Sequence, residues 1–218
     1  MDNRTLPLIL RRLRQEYARR QAPIVTLIAV TTREPYRVLA SCILSLRTQD
    51  ATTAKAAARL FEIAPDVRAL AAADPKAIEK AIYPVGFYRT KAVQLVEMAN
   101  RIVGEFGGEV PDDIDTLLTL RGVGRKTANL VVSAGFSRPA ICVDTHVHRI
   151  SNIWGYVRTK TPHQTEMALR EKLPRRYWRE YNDLLVSFGQ TVCRPLSPLC
   201  SQCPVATWCP RIGVTRSR

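Results

Sequence analysis

The feature that most restricts the fold of this chain is a double-glycine turn between two short helical segments. Residues 120–128 read Leu-Arg-Gly-Val-Gly-Arg-Lys-Thr-Ala, with glycine at Gly122 and Gly124. Apolar periodicity predicts helix on both sides of the turn, over 114–118 and over 126–134. Glycine is required where φ is positive, and also where a ligand must approach the backbone closely. The stretch therefore predicts a helix, a hairpin and a second helix.

The second of these helices offers an anion site at its first turn. Backbone N–H groups and the helix dipole favour negative charge at a helix N-terminus. The chain has 33 Lys and Arg against 19 Asp and Glu, a formal net charge of +14, which favours a polyanionic partner such as nucleic acid. We expect Gly122 and Gly124 to hold a DNA phosphate, with a plain tight turn as the alternative.

Two residues in this region are candidates for catalysis. Lys126 lies in the first helical turn after the glycines, and Asp144 follows it by eighteen positions. The first turn is electrostatically unfavourable for a cation, which favours a neutral amine able to form a Schiff base. Asp144 can assist proton transfer or stabilise positive charge developing on a sugar. The alternatives are an exposed lysine that faces DNA and an aspartate that caps a helix.

A cysteine cluster closes the chain. Cys193, Cys200, Cys203 and Cys209 are separated by six, two and five residues, whereas Cys42 and Cys142 are isolated. Four thiolates this close can hold zinc or an iron–sulfur cluster. In an intracellular chain such a cluster indicates a metal site before it indicates disulfides.

The remaining sequence predicts an all-α fold. Helix signals follow one another along the chain, and no pair of strands is apparent. We expect a basic helix over residues 2–22, an irregular linker over 24–32 and a fully packed helix from Pro35. Asp50 is expected to cap the alanine-rich helix that ends near Ile63.

Composition also bears on the compartment. No apolar run approaches the roughly 20 residues that a membrane span needs, and the N-terminus lacks the apolar core of a secretory signal. We expect a soluble, cytoplasmic, monomeric protein with no membrane partner, associated with the nucleoid if the source is prokaryotic.

The three motifs together resemble those of the endonuclease III family, bifunctional DNA glycosylases of the helix-hairpin-helix superfamily. The motifs are Leu-x-Gly-Val-Gly-x-Lys-Thr-Ala, Val-Asp-Thr-His over 143–146 and the four-cysteine spacing. The resemblance implies a six-helix domain over 23–137 that ends in the hairpin. It also implies an iron–sulfur domain formed by 1–22 and 138–218, with the active-site cleft between the two domains.

The resemblance further implies a reaction on damaged double-stranded DNA. Lys126 matches the family's Schiff-base lysine, Asp144 its catalytic aspartate, and the four cysteines its [4Fe–4S] ligands. The implied enzyme removes oxidised pyrimidines such as thymine glycol and cleaves the strand 3′ to the abasic site by β-elimination. The rival hypotheses are a mismatch-specific or monofunctional glycosylase of the same superfamily and a non-enzymatic, zinc-bearing DNA-binding protein.

Further contacts follow from the same resemblance. Many relatives have glutamine where Arg47 stands, and leucine is frequent at the wedge position of Phe87, which leaves the opposite-base preference open. The expected DNA-binding residues are Arg47, Phe87, Gly122, Gly124, Arg125, Thr127 and Arg194, and the expected pocket residues are Ser45, Asp50 and His146.

Overall fold

The computed structural model of the chain describes residues 1–18, 24–32 and 34–218. Regular structure within these ranges is helical, without a strand, which confirms the predicted all-α class. None of the helices in these ranges is both long and apolar enough to cross a membrane. The α-helices of the described ranges are α1 (Leu6–Tyr17), α2 (Ile24–Thr32), α3 (Pro35–Ser45), α4 (Asp50–Ile63), α5 (Val67–Ala72), α6 (Pro75–Ile82), α7 (Tyr88–Phe106), α8 (Ile114–Thr119), α9 (Arg125–Leu130), α10 (Thr145–Ile153), α11 (Pro162–Lys172) and α12 (Trp178–Thr191).

The chain divides into two compact units. The discontinuous unit comprises Met1–Pro23 and Pro139–Arg218, and the continuous unit comprises Ile24–Arg138. The boundary predicted between residues 22 and 23 falls on residues outside the described ranges.

Helix α3 forms the centre of the continuous unit. Eight of its eleven residues are buried, namely Tyr36 and the run from Val38 to Leu44. Helices α2, α4 and α7 pack against it. This confirms the expectation, drawn from its nearly uniform apolar sequence, that the helix from Pro35 is fully packed.

Aspartates define where three short helices of this unit begin. The carboxylates of Asp66, Asp74 and Asp113 accept hydrogen bonds from backbone N–H groups in the first turns of α5, α6 and α8. Such caps satisfy donors that have no partner within the helix and each contributes about 1 kcal/mol. Local sequence signals therefore determine where these three helices begin.

Two expectations about the start of the continuous unit are wrong. Residues 24–32 form helix α2 rather than an irregular linker, because packing against α3 outweighs the weak helix preference of β-branched residues. Asp50 does not cap its own helix: Gln49 holds that position without a side-chain bond. Instead, the Asp50 carboxylate accepts a hydrogen bond from the N–H of Ile24 at 3.3 Å, at the first residue of α2.

The discontinuous unit joins the N-terminal helix to α10, α11 and α12. Leu6, Ile9, Leu10 and Leu13 of α1 are at most 2% exposed and belong to the core of this unit. Arg14 of α1 forms a two-point ion pair with Glu180 of α12, at 2.6 and 2.8 Å. The predicted basic helix over 2–22 is thus helical from Leu6 to Tyr17, and its last four residues lie outside the described ranges.

Candidate active site and cysteine loop

The two glycines of the double-glycine turn have different conformations and different roles. Gly122 has φ of +84°, a conformation that a side chain would strain. Gly124 is extended, with φ −94° and ψ 173°, and a Cβ atom built there would meet nothing within 4 Å. Gly124 also occupies the N-cap of α9, where no side chain caps the helix. The turn therefore leaves open space in front of a helix N-terminus.

Lys126 is an exposed residue in the first turn of α9. Burial raises the pKa of the Cys42 thiol to about 12, and the charge of Lys126 partly opposes that rise. The predicted hairpin is present, since α8 precedes the turn and α9 follows it, continuing into a π-helical turn over Val131–Gly135. The fold thus presents the candidate nucleophile on a short, well-anchored helix.

The two neighbours of Lys126 in the first turn have different exposures. Arg125 is half-buried, and its carbonyl accepts a hydrogen bond from the Asn129 side chain at 2.9 Å. Thr127 is 4% exposed, so its side chain faces the protein interior. A DNA contact by Thr127 would therefore come from its backbone N–H.

Asp144 belongs to the discontinuous unit and caps α10. Its Oδ1 atom accepts a hydrogen bond from the N–H of Val147 at 2.8 Å, as the cap alternative predicts. Within the described ranges its second oxygen, Oδ2, makes no hydrogen bond. The residue is partly buried. Oδ1 thus caps the helix, and Oδ2 is available for proton transfer.

The two histidines of α10, His146 and His148, face different neighbours. A Cβ atom on Gly189 would lie 2.4 Å from Nδ1 of His146, so the ring packs directly on the backbone of α12. His148 Nδ1 instead lies 2.7 Å from the hydroxyl of Thr165. His146, the expected pocket residue, is therefore partly buried against its own unit.

Arg47 and Phe87 lie together in the continuous unit. Both have left-handed backbone conformations, with φ of 54° and 58°. The Arg47 guanidinium lies 5.6 Å from the centroid of the Phe87 ring, and the Phe87 side chain is 63% exposed. An exposed arginine stacked on an exposed aromatic ring is a planar surface suited to nucleobases.

The polar residues that flank Arg47 have structural contacts. The hydroxyl of Ser45, a half-buried residue, donates to the carbonyl of Cys42 at 2.8 Å. Asp50 is exposed and accepts the hydrogen bond from Ile24 described above. Two of the three expected pocket residues, Ser45 and Asp50, thus lie at the ends of the segment that carries Arg47.

Lys91 is a residue of this region that was not among the site residues predicted from the sequence. Its side chain is buried, and its ammonium donates to the carbonyl of Leu46 at 2.6 Å. The signal was present in the sequence, because Lys91 stands in line with Leu95, Met98 and Ile102 on the apolar stripe of α7. A lysine at the head of a buried stripe must find oxygen partners.

Two glycine substitutions test how closely the Arg47 and Phe87 segments are packed. A Cβ atom on Gly86 would lie 2.7 Å from the carbonyl oxygen of Arg47, whereas one on Gly104, inside α7, would meet nothing within 4 Å. We expect Gly86→Ala to lower the free energy of unfolding by about 1–3 kcal/mol through overpacking. Gly104→Ala should raise it by about 0.5–1 kcal/mol, since alanine favours helix. Urea denaturation measures both, and equal effects would contradict the close approach at Gly86.

The four clustered cysteines line one pocket of the discontinuous unit. None forms a disulfide, and the pocket has about 310 Å³ of empty space, open solvent included. Burial raises the pKa of Cys193 to about 11, and it also raises the pKa values of Cys203 and Cys209. In the ranges that the structure describes, no group of three or more His, Cys, Asp or Glu side chains is arranged to hold a metal ion. The rest of the pocket lining is largely apolar and includes Ile153, Trp154, Phe188, Val192, Pro198, Leu199 and Val214.

Two arginines have hydrogen bonds at this loop: Arg149 donates to it, and Arg194 belongs to it. The Arg149 guanidinium donates to the carbonyl of Cys193 at 2.5 Å and lies 3.3 Å from Nδ1 of His146. Arg194, the expected DNA contact of the loop, is exposed, and its Nε donates to the carbonyl of Thr191 at 3.1 Å. Arg149 thus connects the first cysteine to the helix that Asp144 caps.

Comparison with known proteins defines the class of this chain. The sequence model described as "HhH-GPD superfamily base excision DNA repair protein" matches residues 40–175. Endonuclease III of Thermotoga maritima is 47% identical over 176 residues, which cover 81% of this chain and 83% of that protein. Endonuclease III of Bacillus subtilis is 36% identical over 185 residues, covering 84% of each. The chain is therefore a base excision repair DNA glycosylase of the HhH-GPD superfamily.

Solved structures of related enzymes are similar to this protein over nearly the whole chain. A trapped endonuclease III–DNA covalent intermediate has a TM-score of 0.84 and 32% identity, and the match covers 97% of both chains. A thermostable thymine-DNA glycosylase has a TM-score of 0.82 at 25% identity. Within its superfamily, the chain belongs to the endonuclease III family. It spans about half the length of some relatives, such as 50% of Endonuclease III homolog 1 of Arabidopsis thaliana.

Proposed function

We propose that this protein is a bifunctional enzyme that removes oxidised pyrimidines, such as thymine glycol, from duplex DNA and then cleaves the strand. The observation that carries the proposal is the exposed amine of Lys126 in the first turn of a helix that no side chain caps. A solved relative is a covalent intermediate with DNA, which requires a nucleophile on the protein. Lys126 is the candidate for that nucleophile here.

The glycine turn is the proposed phosphate site. The open space at Gly124, the uncapped N-terminus of α9 and a net charge of +14 all favour a phosphate of the DNA backbone. A phosphate bound there would fix the position of the sugar relative to Lys126. Backbone contacts of this kind set position and do not distinguish sequences.

Arg47 and Phe87 are the proposed contacts that replace the extruded nucleotide. A damaged base cannot be reached within the helical stack, so it must be flipped out. Inserted side chains compensate for the lost stacking, and a stacked arginine and phenylalanine present both a cation and a ring. We propose that this pair sets the opposite-base preference, with Ser45 and Asp50 nearby in the chain as residues of the lesion pocket.

The chemistry follows from a lysine and an aspartate that act on the same nucleotide. The Lys126 amine attacks C1′, the glycosidic C–N bond breaks, and the base leaves with a proton. Opening of the sugar ring gives an iminium between C1′ and Nζ, which acidifies the C2′ proton. Loss of that proton breaks the C3′–O bond, and water finally releases Lys126 from the sugar. The unbonded oxygen of Asp144 is the proposed proton carrier.

We propose that Cys193, Cys200, Cys203 and Cys209 hold a [4Fe–4S] cluster. The four cysteines line one mostly apolar pocket, and four thiolates can hold either a zinc ion or an iron–sulfur cluster. The resemblance of their spacing to that of the endonuclease III family favours the cluster. Bound there, the cluster would act as a structural tie for the loop. It would order Arg194, the proposed DNA contact of the loop.

The cluster proposal predicts a colour and its loss. The purified protein should be brown, with broad visible absorption and about four irons per chain. Cys203→Ser should remove most of the iron, because it deletes a ligand within the tightest spacing. Cys142→Ala is the matched control in the same unit and should retain it. A colourless protein with one zinc per chain would support the zinc-bearing alternative instead.

A second candidate is excision of mismatched thymine. The observation that favours it is the structural match to a thymine-DNA glycosylase, which covers 96% of this chain. The two candidates differ in the base removed and not in the fold. Lys126 argues for the bifunctional enzyme, because relatives that only remove the base usually lack this lysine.

A panel of substrates separates the two candidates. Single-turnover excision would be measured on duplexes carrying thymine glycol or an undamaged thymine, each paired in turn with adenine and with guanine. We expect thymine glycol to be removed at least about 100-fold faster than mismatched thymine, with strand cleavage keeping pace with base release. Fast removal of thymine opposite guanine, without strand cleavage, would establish the second candidate instead.

A further inference from the structure

Lys91 is a buried cation that the proposed chemistry does not use. Its side chain lies in the first turn of α7, and the residue is 4% exposed. Its ammonium donates to the carbonyl oxygens of Leu44 at 2.9 Å and Leu46 at 2.6 Å, and to the hydroxyl of Thr48 at 3.4 Å. In the described ranges these three oxygens are its side-chain partners, and none is a carboxylate. Three donors meeting three acceptors satisfy a charge that burial otherwise disfavours.

All three acceptors belong to the segment that carries Arg47. Leu46 directly precedes Arg47, whose φ of 54° is left-handed. A residue other than glycine keeps that conformation only where its surroundings impose it. The hydrogen bonds from Lys91 hold the chain on both sides of Arg47, at Leu46 and at Thr48.

The same lysine also contacts the segment that carries Phe87. The backbone N–H of Lys91 donates to the carbonyl of Phe87 at 3.0 Å. The Thr48 hydroxyl, which accepts from Lys91, also accepts from the N–H of Gly86 at 3.1 Å. Phe87 is itself left-handed, with φ of 58°. The backbone bond to Phe87 is an ordinary helical bond, so the Lys91 side chain is connected to the Phe87 segment through the Thr48 hydroxyl.

We propose that Lys91 is a positioning residue that fixes Arg47 and Phe87 as one rigid pair for insertion into DNA from which a base has been extruded. This inference rests on the proposed function, which assigns both residues to DNA. A pair already held in place inserts without a further cost of ordering its backbone. Burial lowers the pKa of Lys91 to about 8, so the ammonium that binds the carbonyls is present at neutral pH.

The proposal predicts that Lys91 affects extrusion of the base and not the chemistry at the sugar. The variant is Lys91→Met, which removes the charge but keeps a similar shape. On the lesion that wild type excises fastest, its single-turnover excision should fall at least about tenfold, because misplaced contacts lose much of their effect. Borohydride trapping on duplex DNA with a preformed abasic site should change by less than about threefold, since no base has to be extruded. Lys80→Met, an exposed lysine of α6, is the charge-matched control and should stay within about twofold of wild type in both assays.

A fluorescent probe reports the pair directly. With 2-aminopurine opposite the abasic site, wild-type binding should raise the fluorescence as the opposite base unstacks, and Lys91→Met should lose most of that rise. Adding Lys91→Met to the double variant Arg47→Ala/Phe87→Ala should reduce excision by no more than about twofold further, because Lys91 acts through that pair. Independent, multiplying losses would overturn the proposal.

The outcomes distinguish this inference from the proposed function. A wild type that neither excises nor traps would overturn the proposed function itself. Normal excision by Lys91→Met, or equal losses in excision and trapping, would overturn the role of Lys91 alone. If Lys91→Met does not fold, the isosteric Thr48→Val removes the oxygen that links Lys91 to Gly86. Thr48→Val should likewise slow excision while leaving trapping nearly unchanged, and equal effects on the two assays would count against the proposal.

Discussion

Replacing Lys126 with alanine should abolish the covalent adduct that borohydride traps between this protein and DNA carrying an abasic site. A reducible iminium requires an amine that reaches C1′, and the substitution removes the amine assigned to that step. Affinity for the same DNA, measured without borohydride, should stay within about tenfold, because one of many basic residues is lost. Denaturing gel electrophoresis of the reduced mixture gives the yield of adduct.

Lys126→Arg is the matched control for charge. It keeps a cation at the start of α9, but a guanidinium does not form the iminium under these conditions. We expect DNA binding close to wild type and no adduct. Trapping that survives in both variants would show that another amine is the nucleophile, and the assignment of Lys126 would then be wrong.

Replacing Asp144 with asparagine should slow base excision by about 100-fold to 10,000-fold, the range associated with loss of a general acid or base. The fold should survive, because asparagine caps a helix about as well as aspartate and keeps an oxygen for the N–H of Val147. Single-turnover excision and urea denaturation, measured on the same preparation, separate chemistry from stability.

Two further variants define what the cap itself contributes. Asp144→Ala removes the cap as well as the charge and should lower the free energy of unfolding by about 1 kcal/mol. Asp66→Asn makes the same isosteric change at another capping aspartate and should leave excision unaltered. Excision near the wild-type rate in Asp144→Asn, with a loss only in Asp144→Ala, would mean that Asp144 serves mainly as a cap.

The sequence predicts best those features that depend on neighbours in the chain. The glycine turn is predicted from residues that adjoin one another in the chain, and the observed caps Asp66, Asp74 and Asp113 are equally local, since each adjoins the helix that it begins. Residues 24–32 were mispredicted because their helix depends on packing against α3, which lies later in the chain. Propensity alone does not contain that information.

The candidate site shows the same division. Lys126, Asp144 and the four cysteines belong to motifs, so the sequence supplies a hypothesis for the role of each. Lys91 carries no motif: its place on the apolar stripe of α7 indicates burial, but it does not identify partners that lie 43 to 47 positions away in the chain. Asp50 looked like a local cap but bonds to Ile24, 26 positions before it. A long-range hydrogen bond leaves no periodic trace in the sequence.

The division of the chain into a continuous and a discontinuous unit has a consequence for biosynthesis. Residues 24–138 leave the ribosome as one stretch and contain α2, α4, α7 and α9, which pack against α3, so we expect this unit to begin folding while translation continues. The apolar face of α1 must wait, because α12, which it packs against, is translated roughly 160 residues later. We therefore expect the nascent chain to carry Leu6, Ile9, Leu10 and Leu13 uncovered for most of its synthesis, which makes this helix the natural contact for a chaperone.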